Sequence, residues 1–486
     1  MNKISIGTIA VAVATSSLSA QWWQASPAAF PSNRSGCAMT GTPQGWGAPT
    51  VMYGGIGAGT LDDTWTYNGS TWTALTTNTD VGGVITPNAG PFLARAEMDY
   101  ETWAGNIILF GGGTYHPLLG MTSKDETWTL NTFSNPPVWA KKFPGVSPPA
   151  RVDFGGAFVP NTGIGGAGLF VVYGGDASAF THVPPETWGF SPATNNWYLL
   201  DSGLGANPGE RSLLAMCRGP KVSFIHTVLC FGGIDWNLGV TSNALWSFNV
   251  QTRLWSMVHA GGAGAPPAHV GARMYWDYTR NVAVLHGGHD GNGNNLGDTW
   301  EWDGTSWTQR PSADTLSHIR AGAAYDASGC GVQFGGEHPL TGNTTISTFH
   351  YCTKAETYGA GCPGGAGAPT LTVASMPTVN GNYVLDVGNV PAATFGGHLF
   401  DFQNSNSSLG ALPLNLAFLG MAPTCNLLVG DQFATAVPSV GASAFVWNGI
   451  PAAAFGLPIY SQFVILDTSA PGSLTMTNAV SAVVGL

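Results

Sequence analysis

Short apolar runs along this chain end repeatedly on an aromatic residue followed by two glycines. These steps are Tyr53-Gly54-Gly55, Phe110-Gly111-Gly112, Tyr173-Gly174-Gly175, Phe231-Gly232-Gly233, His286-Gly287-Gly288 and Phe334-Gly335-Gly336, spaced 48 to 63 residues apart. Ten to sixteen residues later comes Trp65, Trp128, Trp188, Trp246, Trp300 or Phe349, and then a second tryptophan, Trp72, Trp139, Trp197, Trp255 or Trp307. An arginine opens each unit: Arg34, Arg95, Arg151, Arg211, Arg273 and Arg320. Apolar runs such as 106–110, bounded by Gly, Pro, Asn and Ser, read as strands. Each unit therefore predicts four strands: one after the arginine, one ending at Gly-Gly, and one around each tryptophan. A four-stranded meander of this size cannot bury both faces alone. The pattern predicts units stacked radially about an axis, with paired tryptophans filling the gap that widens toward the rim.

The last unit lacks its second tryptophan. The segment Gln21-Trp22-Trp23-Gln24 lies eleven or twelve residues before Arg34, whereas the second tryptophan precedes the next arginine by twelve (Trp139 to Arg151) to twenty-three residues (Trp72 to Arg95). Residues about 21–26 are therefore expected to pair with about 345–352 as the missing fourth strand. That pairing would remove a free sheet edge.

Glycine, at 68 of 486 residues, and only 9% charged residues suit many strands joined by tight turns. A net charge of −11 with sixteen scattered basic residues argues against nucleic acid and anionic membranes as partners. Lys3, the apolar stretch 4–14 and Ser17-Leu18-Ser19-Ala20 read as a signal peptide over 1–20, which places the protein as secreted or at the cell surface. No later segment approaches the roughly 20 apolar residues of a membrane span.

The phased aromatic-Gly-Gly, Asp/Glu-Thr-Trp and trailing-Trp strands resemble kelch repeats of the galactose oxidase/kelch superfamily. The resemblance covers about residues 21–352. It implies an all-β fold, a six-bladed kelch-type β-propeller over 21–354 with 21–26 closing the sixth blade. The stretch 355–368 reads as a Gly/Pro-rich linker, and 369–486 as a small C-terminal β-sandwich without a single Lys or Arg. That segment resembles a module found behind propellers in secreted bacterial proteins, through 358–364, Pro423-Thr424-Cys425 and the strand 462–467.

In an exported chain seven cysteines invite pairing. Cys217 and Cys230 flank a turn at Gly219-Pro220, Cys330 and Cys352 open and close neighbouring strands, Cys362 and Cys425 lie in the C-terminal segment, and Cys37 is left over. The recurrent arginines and the carboxylates before the first tryptophans (Asp63, Glu126, Glu186 and Asp298) read as repeated structural ion pairs. His286, His289 and Asp290 would need a ligand from another unit to hold a metal, and His286 replaces a packing aromatic.

Functional candidates are the loop residues after Gly-Gly that break the repeat: Tyr115, His116, Asp176, Asp235, Trp236, His289, Asp290, Glu337 and His338. Aromatic and acidic groups on loops that the scaffold does not constrain suit recognition. The expectation is a monomeric, non-enzymatic protein that binds a protein or glycan ligand and needs no cofactor. The alternative is a secreted propeller enzyme, galactose-oxidase-like or carbohydrate-active. The two tyrosines, two histidines and crosslinked cysteine of galactose oxidase have no matching set here, so no copper ligand and no catalytic residue is assigned.

Overall fold

The computed structural model describes most of residues 20–353 and, from 356 to 483, chiefly the strands; residues 1–19, 42–49, 161–166, 311–317 and several shorter stretches lie outside the described set. The expected signal segment falls outside it up to residue 19, as does Cys425. Every described element is a β-strand. The chain divides into two compact units, Ala20–Cys352 and Thr353–Gly485.

The first unit is built on six sheets of four or more strands, with two separate two-stranded hairpins. Sheet I comprises Ala38–Thr40, Thr50–Tyr53, Thr64–Tyr67 and Trp72–Leu75; sheet II, Glu97–Tyr100, Asn106–Phe110, Thr127–Asn131 and Val138–Lys142. Sheet III comprises Gly155–Val159, Leu169–Tyr173, Thr187–Ser191 and Asn196–Asp201; sheet IV, Ser212–Val222, Ile225–Asp235, Leu245–Asn249 and Leu254–His259. Sheet V comprises Arg273–Asp277, Val282–His286, Thr299–Trp302 and Trp307–Arg310. Sheet VI comprises Gly322–Tyr325, Gly331–Phe334 and Thr348–Thr353, with Ala20–Ala25 outermost beside Thr348–Thr353. The first strands touch one another in a closed cycle, I to VI and back to I. The arrangement is propeller-like.

Two side-chain contacts, repeated around the cycle, explain the sequence pattern. The aromatic of each Gly-Gly step packs on the second tryptophan of the next sheet: Tyr53 on Trp139, Phe110 on Trp197, Tyr173 on Trp255, Phe231 on Trp307, His286 on Trp22 and Phe334 on Trp72, with ring centroids 4.3–5.4 Å apart. The same indoles donate Nε1–H to the threonine before the first tryptophan of the preceding sheet. Trp139 reaches Thr64 (3.1 Å), Trp197 Thr127 (2.9 Å), Trp255 Thr187 (2.8 Å), Trp22 Thr299 (2.7 Å) and Trp72 Thr348 (2.9 Å). At the IV–V junction the threonine position holds Leu245, and the buried Trp307 Nε1 finds no acceptor among the described residues. A net hydrogen bond is worth about 1 kcal/mol, and orphaning a buried partner costs about 1–3. Trp197→Phe is therefore expected to destabilise by about 1–2 kcal/mol more than Trp307→Phe in denaturant unfolding. Equal losses would contradict the latch.

The glycine pairs are required by close approach. Gly54 has φ +62°, and a Cβ there would come within 2.4 Å of Leu93 O. At Gly335 (φ +66°) it would come within 2.6 Å of Arg34 O, where the chain enters the next sheet.

The expected Cys217–Cys230 disulfide does not form; both thiols, and that of Cys37, are free and buried. The register pairs Met216 with Cys230 and Cys217 with Leu229. Offset by one residue, the two sulfurs point to opposite faces: Cys230 packs with Val171, Leu214 and Trp255, Cys217 with Phe231, Leu285 and Trp307. Cys330 and Cys362 are each engaged in a separate disulfide.

In the second unit, Pro458–Leu466 pairs with Gly396–Asp401, Leu474–Met476 and Ala479–Val483. A separate sheet joins Thr370–Ser375, Asn382–Gly388 and Phe445–Asn448. The stretch 355–368, expected as a linker, supplies the strand Glu356–Tyr358 beside Ala479–Val483 and a buried Cys362 whose Sγ accepts Met476 N–H at 3.1 Å.

Candidate functional site

One backbone position recurs at the start of every sheet, just before its first strand or, in sheet IV, at the second residue of that strand. Gly36, Arg95, Asp153, Leu213, Gly271 and Arg320 all occupy it, with φ between +53° and +72°. Five main-chain hydrogen bonds link them about the axis, and the step from Arg95 to Asp153 is made by their side chains. Arg95 N donates to Gly36 O (2.7 Å), Leu213 N to Asp153 O (2.8 Å), Gly271 N to Leu213 O (2.8 Å), Arg320 N to Gly271 O (3.2 Å) and Gly36 N to Arg320 O (2.7 Å). Glycine adopts this conformation freely, whereas other residues are strained by about 1–2 kcal/mol. Four of the six positions accept that strain, and three of those four carry charge.

Asp153 braces two guanidiniums. It accepts Arg320 Nε at 3.0 Å and Arg320 Nη2 at 3.3 Å, reaching across from sheet VI to sheet III, and Arg95 Nη1 at 3.2 Å. Burial pushes the Asp153 carboxyl up, but Arg320 and Arg95 more than reverse this and hold it below the usual carboxylate range. Arg320 also donates to Glu337 at 2.5 Å, whose other oxygen accepts Ser35 Oγ at 2.8 Å. Farther along the axis Arg273 of sheet V reaches Glu97 of sheet II at 2.6 Å. Burial raises the Glu97 carboxyl, an effect that Arg273 partly offsets.

Three cavities follow one another past these pairs. A mouth cavity of about 310 Å³ is lined by Arg95, Tyr115, Gly120, Met121, Ser123, Val152, Asp153, Asp176, Leu213, Trp236 and Arg320. A neck of about 20 Å³ shares Arg95, Asp153, Leu213 and Arg320 with it and adds Glu97 and Arg273. A lower cavity of about 90 Å³ continues from Glu97 and Arg273.

Three of the nine loop candidates thus meet at the mouth. Tyr115 comes from a hairpin inserted between the second and third strands of sheet II, its N–H donating to Thr60 Oγ1 at 2.7 Å. Asp176 and Trp236 are held through His182, which no sequence pattern marks. Trp236 N–H donates to His182 Nε2 at 2.9 Å, which leaves the proton on Nδ1 to donate to Asp176 at 2.7 Å. Trp236 Nε1 donates to Ser212 Oγ at 2.9 Å. Burial raises the Asp176 carboxyl, and bonds from Ser212 and His182 moderate the effect.

The other six candidates do not line the mouth cavity. Glu337 positions Arg320. Asp235 and Asp290 accept backbone N–H groups of their own turns, from 237 and 238 and from 292 and 294. His116, His289 and His338 cap Leu118, Gly291 and Leu340 in the same way. His286 is buried, bonding Thr299 at 2.9 Å and packing on Trp22.

The arginines fall into two classes, a correction to the single structural class expected. Arg34, Arg151 and Arg211 each donate to the carbonyl of a Gly-Gly step, Gly54, Gly174 and Gly232, at 3.0–3.1 Å. Among them only Arg34 is bonded to its expected carboxylate, Asp63, at 2.5 and 2.8 Å. Glu126 instead pairs with Lys141 at 2.8 Å. The carboxylates mainly serve the first indoles: Asp63, Glu126, Glu186 and Asp298 accept Nε1–H from Trp65, Trp128, Trp188 and Trp300 at 2.6–3.0 Å. Arg95, Arg273 and Arg320 belong to the axial cavities instead. The spacing carries the distinction. The scaffold arginines precede their Gly-Gly partners by 20, 23 and 21 residues, the axial ones precede Gly111, Gly287 and Gly335 by 16, 14 and 15.

No family model and no curated protein matches the chain. A solved structure titled "Structure of YjhT" superposes with a TM-score of 0.46 at 14% identity, over 66% of this chain and 95% of that one.

Proposed function

We propose that residues 20–353 form the six-bladed kelch-type propeller of an exported protein that binds a glycan at its mouth without transforming it. The observation that carries the reading is the convergence of Tyr115, Asp176 and Trp236, from loops of three different sheets, on one cavity of about 310 Å³ floored by Arg95 and Arg320. Aromatic side chains cover the C–H faces of a sugar, while carboxylate and guanidinium groups bond its hydroxyls. The volume lies at the low end of the roughly 300–1,000 Å³ typical of small-molecule sites. A protein partner would need on the order of 800 Å² of surface on each side. The cyclic sheets and the six aromatic stacks support six blades, with Ala20–Ala25 completing the sixth. The two larger sheets of the C-terminal unit, linked by Tyr383 OH and Ser461 Oγ at 3.5 Å, support a β-sandwich.

Disulfide-bonded Cys330 and Cys362 fit an oxidising compartment. Cys352 and Cys425 are the partners proposed for Cys330 and Cys362. Glycan-array screening followed by calorimetry on the whole chain tests the binding reading. Trp236→Ala is expected to weaken the selected glycan on the order of tenfold or more with an unchanged melting temperature. Unchanged affinity would remove the mouth as the site.

A further inference from the structure

The lower cavity holds an unsatisfied cation. Arg218, on the first strand of sheet IV, is 9% exposed, and its Nε has no hydrogen-bond partner. No ion pair or hydrogen bond of its guanidinium occurs among the described residues. The guanidinium carbon instead lies 4.4 Å from the Tyr278 ring centroid, and both side chains line the cavity of about 90 Å³ with Thr40, Asp99 and Tyr325.

The nearby carboxylate is already engaged. Asp99 accepts Thr40 Oγ1 at 2.9 Å and Tyr100 N–H at 2.8 Å on one oxygen, and Phe158 N–H at 2.7 Å on the other. A buried charge without a hydrogen-bonded partner costs several kcal/mol. With one face on a tyrosine ring, the guanidinium keeps its in-plane N–H fork free, the geometry that pairs with a planar oxyanion.

We propose that the lower cavity is a second binding site, in which the Arg218 guanidinium holds a small planar oxyanion of the carboxylate type, no larger than formate or acetate. Tyr278 is the platform that orients the guanidinium, and Thr40 and Tyr325 line the remaining space. The site lies beyond the Arg273–Glu97 pair from the mouth and does not rest on the glycan reading. Burial also draws the Arg218 guanidinium down to about 10 and raises the Asp99 carboxyl. Asp99 opposes the shift on Arg218, and Arg218 that on Asp99, so each feels the other's charge without a hydrogen bond between them.

The test is the melting temperature of the whole chain in a bulky sulfonate buffer, titrated with sodium formate at constant ionic strength. Wild type is expected to show a saturable rise, as a ligand that binds only the folded state requires. Arg218→Gln is expected to show none, and Arg218→Lys, which keeps the charge but not the fork, to need at least about fivefold more formate. Equal responses of wild type and Arg218→Gln would overturn the proposal. Should Arg218→Gln fail to fold, equilibrium dialysis of radiolabelled formate against the wild-type chain decides. One equivalent bound per chain supports the site; none refutes it and leaves ionised Asp99 as the counter-charge.

Discussion

Asp153→Asn is expected to lower the stability of the first unit by about 3–5 kcal/mol, the cost of removing one partner from a buried ion-pair network. The substitution keeps the side-chain volume and removes the charge. It leaves Arg320 and Arg95 at the neck without the carboxylate they share, Arg320 keeping its bond to Glu337. The left-handed backbone at this position (φ +54°) is one asparagine tolerates, so the loss reports electrostatics and not strain. Its pH dependence separates it from a generic packing defect. Asp153 ionises below the usual carboxylate range in the folded protein. Its contribution is therefore fully present above its unfolded pKa of about 3.9 and disappears as pH falls through the lower folded value. Denaturant unfolding of both proteins from pH 7 down to pH 2 should show a constant gap above about pH 4 that then closes. A gap that persists to the lowest pH would mean that packing, and not charge, carries the effect.

Trp22→Ala is expected to cost about 3–5 kcal/mol, as large-to-small changes at buried tryptophans do. Trp22 is 4% exposed, bonds Thr299, and packs its ring on His286 and Tyr351 at 4.3 and 5.0 Å. It is thus the indole that joins sheet V to sheet VI, in the position the other five sheets fill from their own last strand. Trp22→Phe should recover most of the packing and lose the Thr299 bond, so it should fall between wild type and alanine. An unchanged thermal unfolding midpoint in the alanine variant would show that Ala20–Ala25 is dispensable.

The scaffold was legible because it repeats. Period and chemistry coincide at the Gly-Gly steps, where the next sheet's backbone passes too close for a Cβ. They coincide again at the second tryptophans, each fixed by an aromatic and, at five of six junctions, by a threonine. Tyr115, Asp176 and Trp236 were recognisable as residues the repeat does not demand. Their convergence depends on the cycle bringing the loops of three sheets together, which spacing along the chain does not encode. His182 and Asp153 gave no signal, since one histidine or aspartate in a loop has no partner in sequence. The axial arginines were hidden by resemblance: counted from the left-handed residue that starts each sheet, they sit two or four positions after the scaffold arginines, close enough to pass for the same phase. The Cys217–Cys230 expectation failed on a one-residue offset that only the register reveals.

Closing the cycle with the earliest strand also sets an order of events. Gln24 and Ser347, whose side chains bond across that junction, are 323 residues apart in the chain. At synthesis rates of about 5–20 residues per second, Ala20–Ala25 waits roughly 15–65 s before Thr348–Thr353 exists to receive it. During that interval sheets I to V can stack in sequence while His286 and Thr299 lack their indole. The last contact made is then also the one that must break before neighbouring sheets can part, so escape from the folded state is governed by how fast this one seam opens.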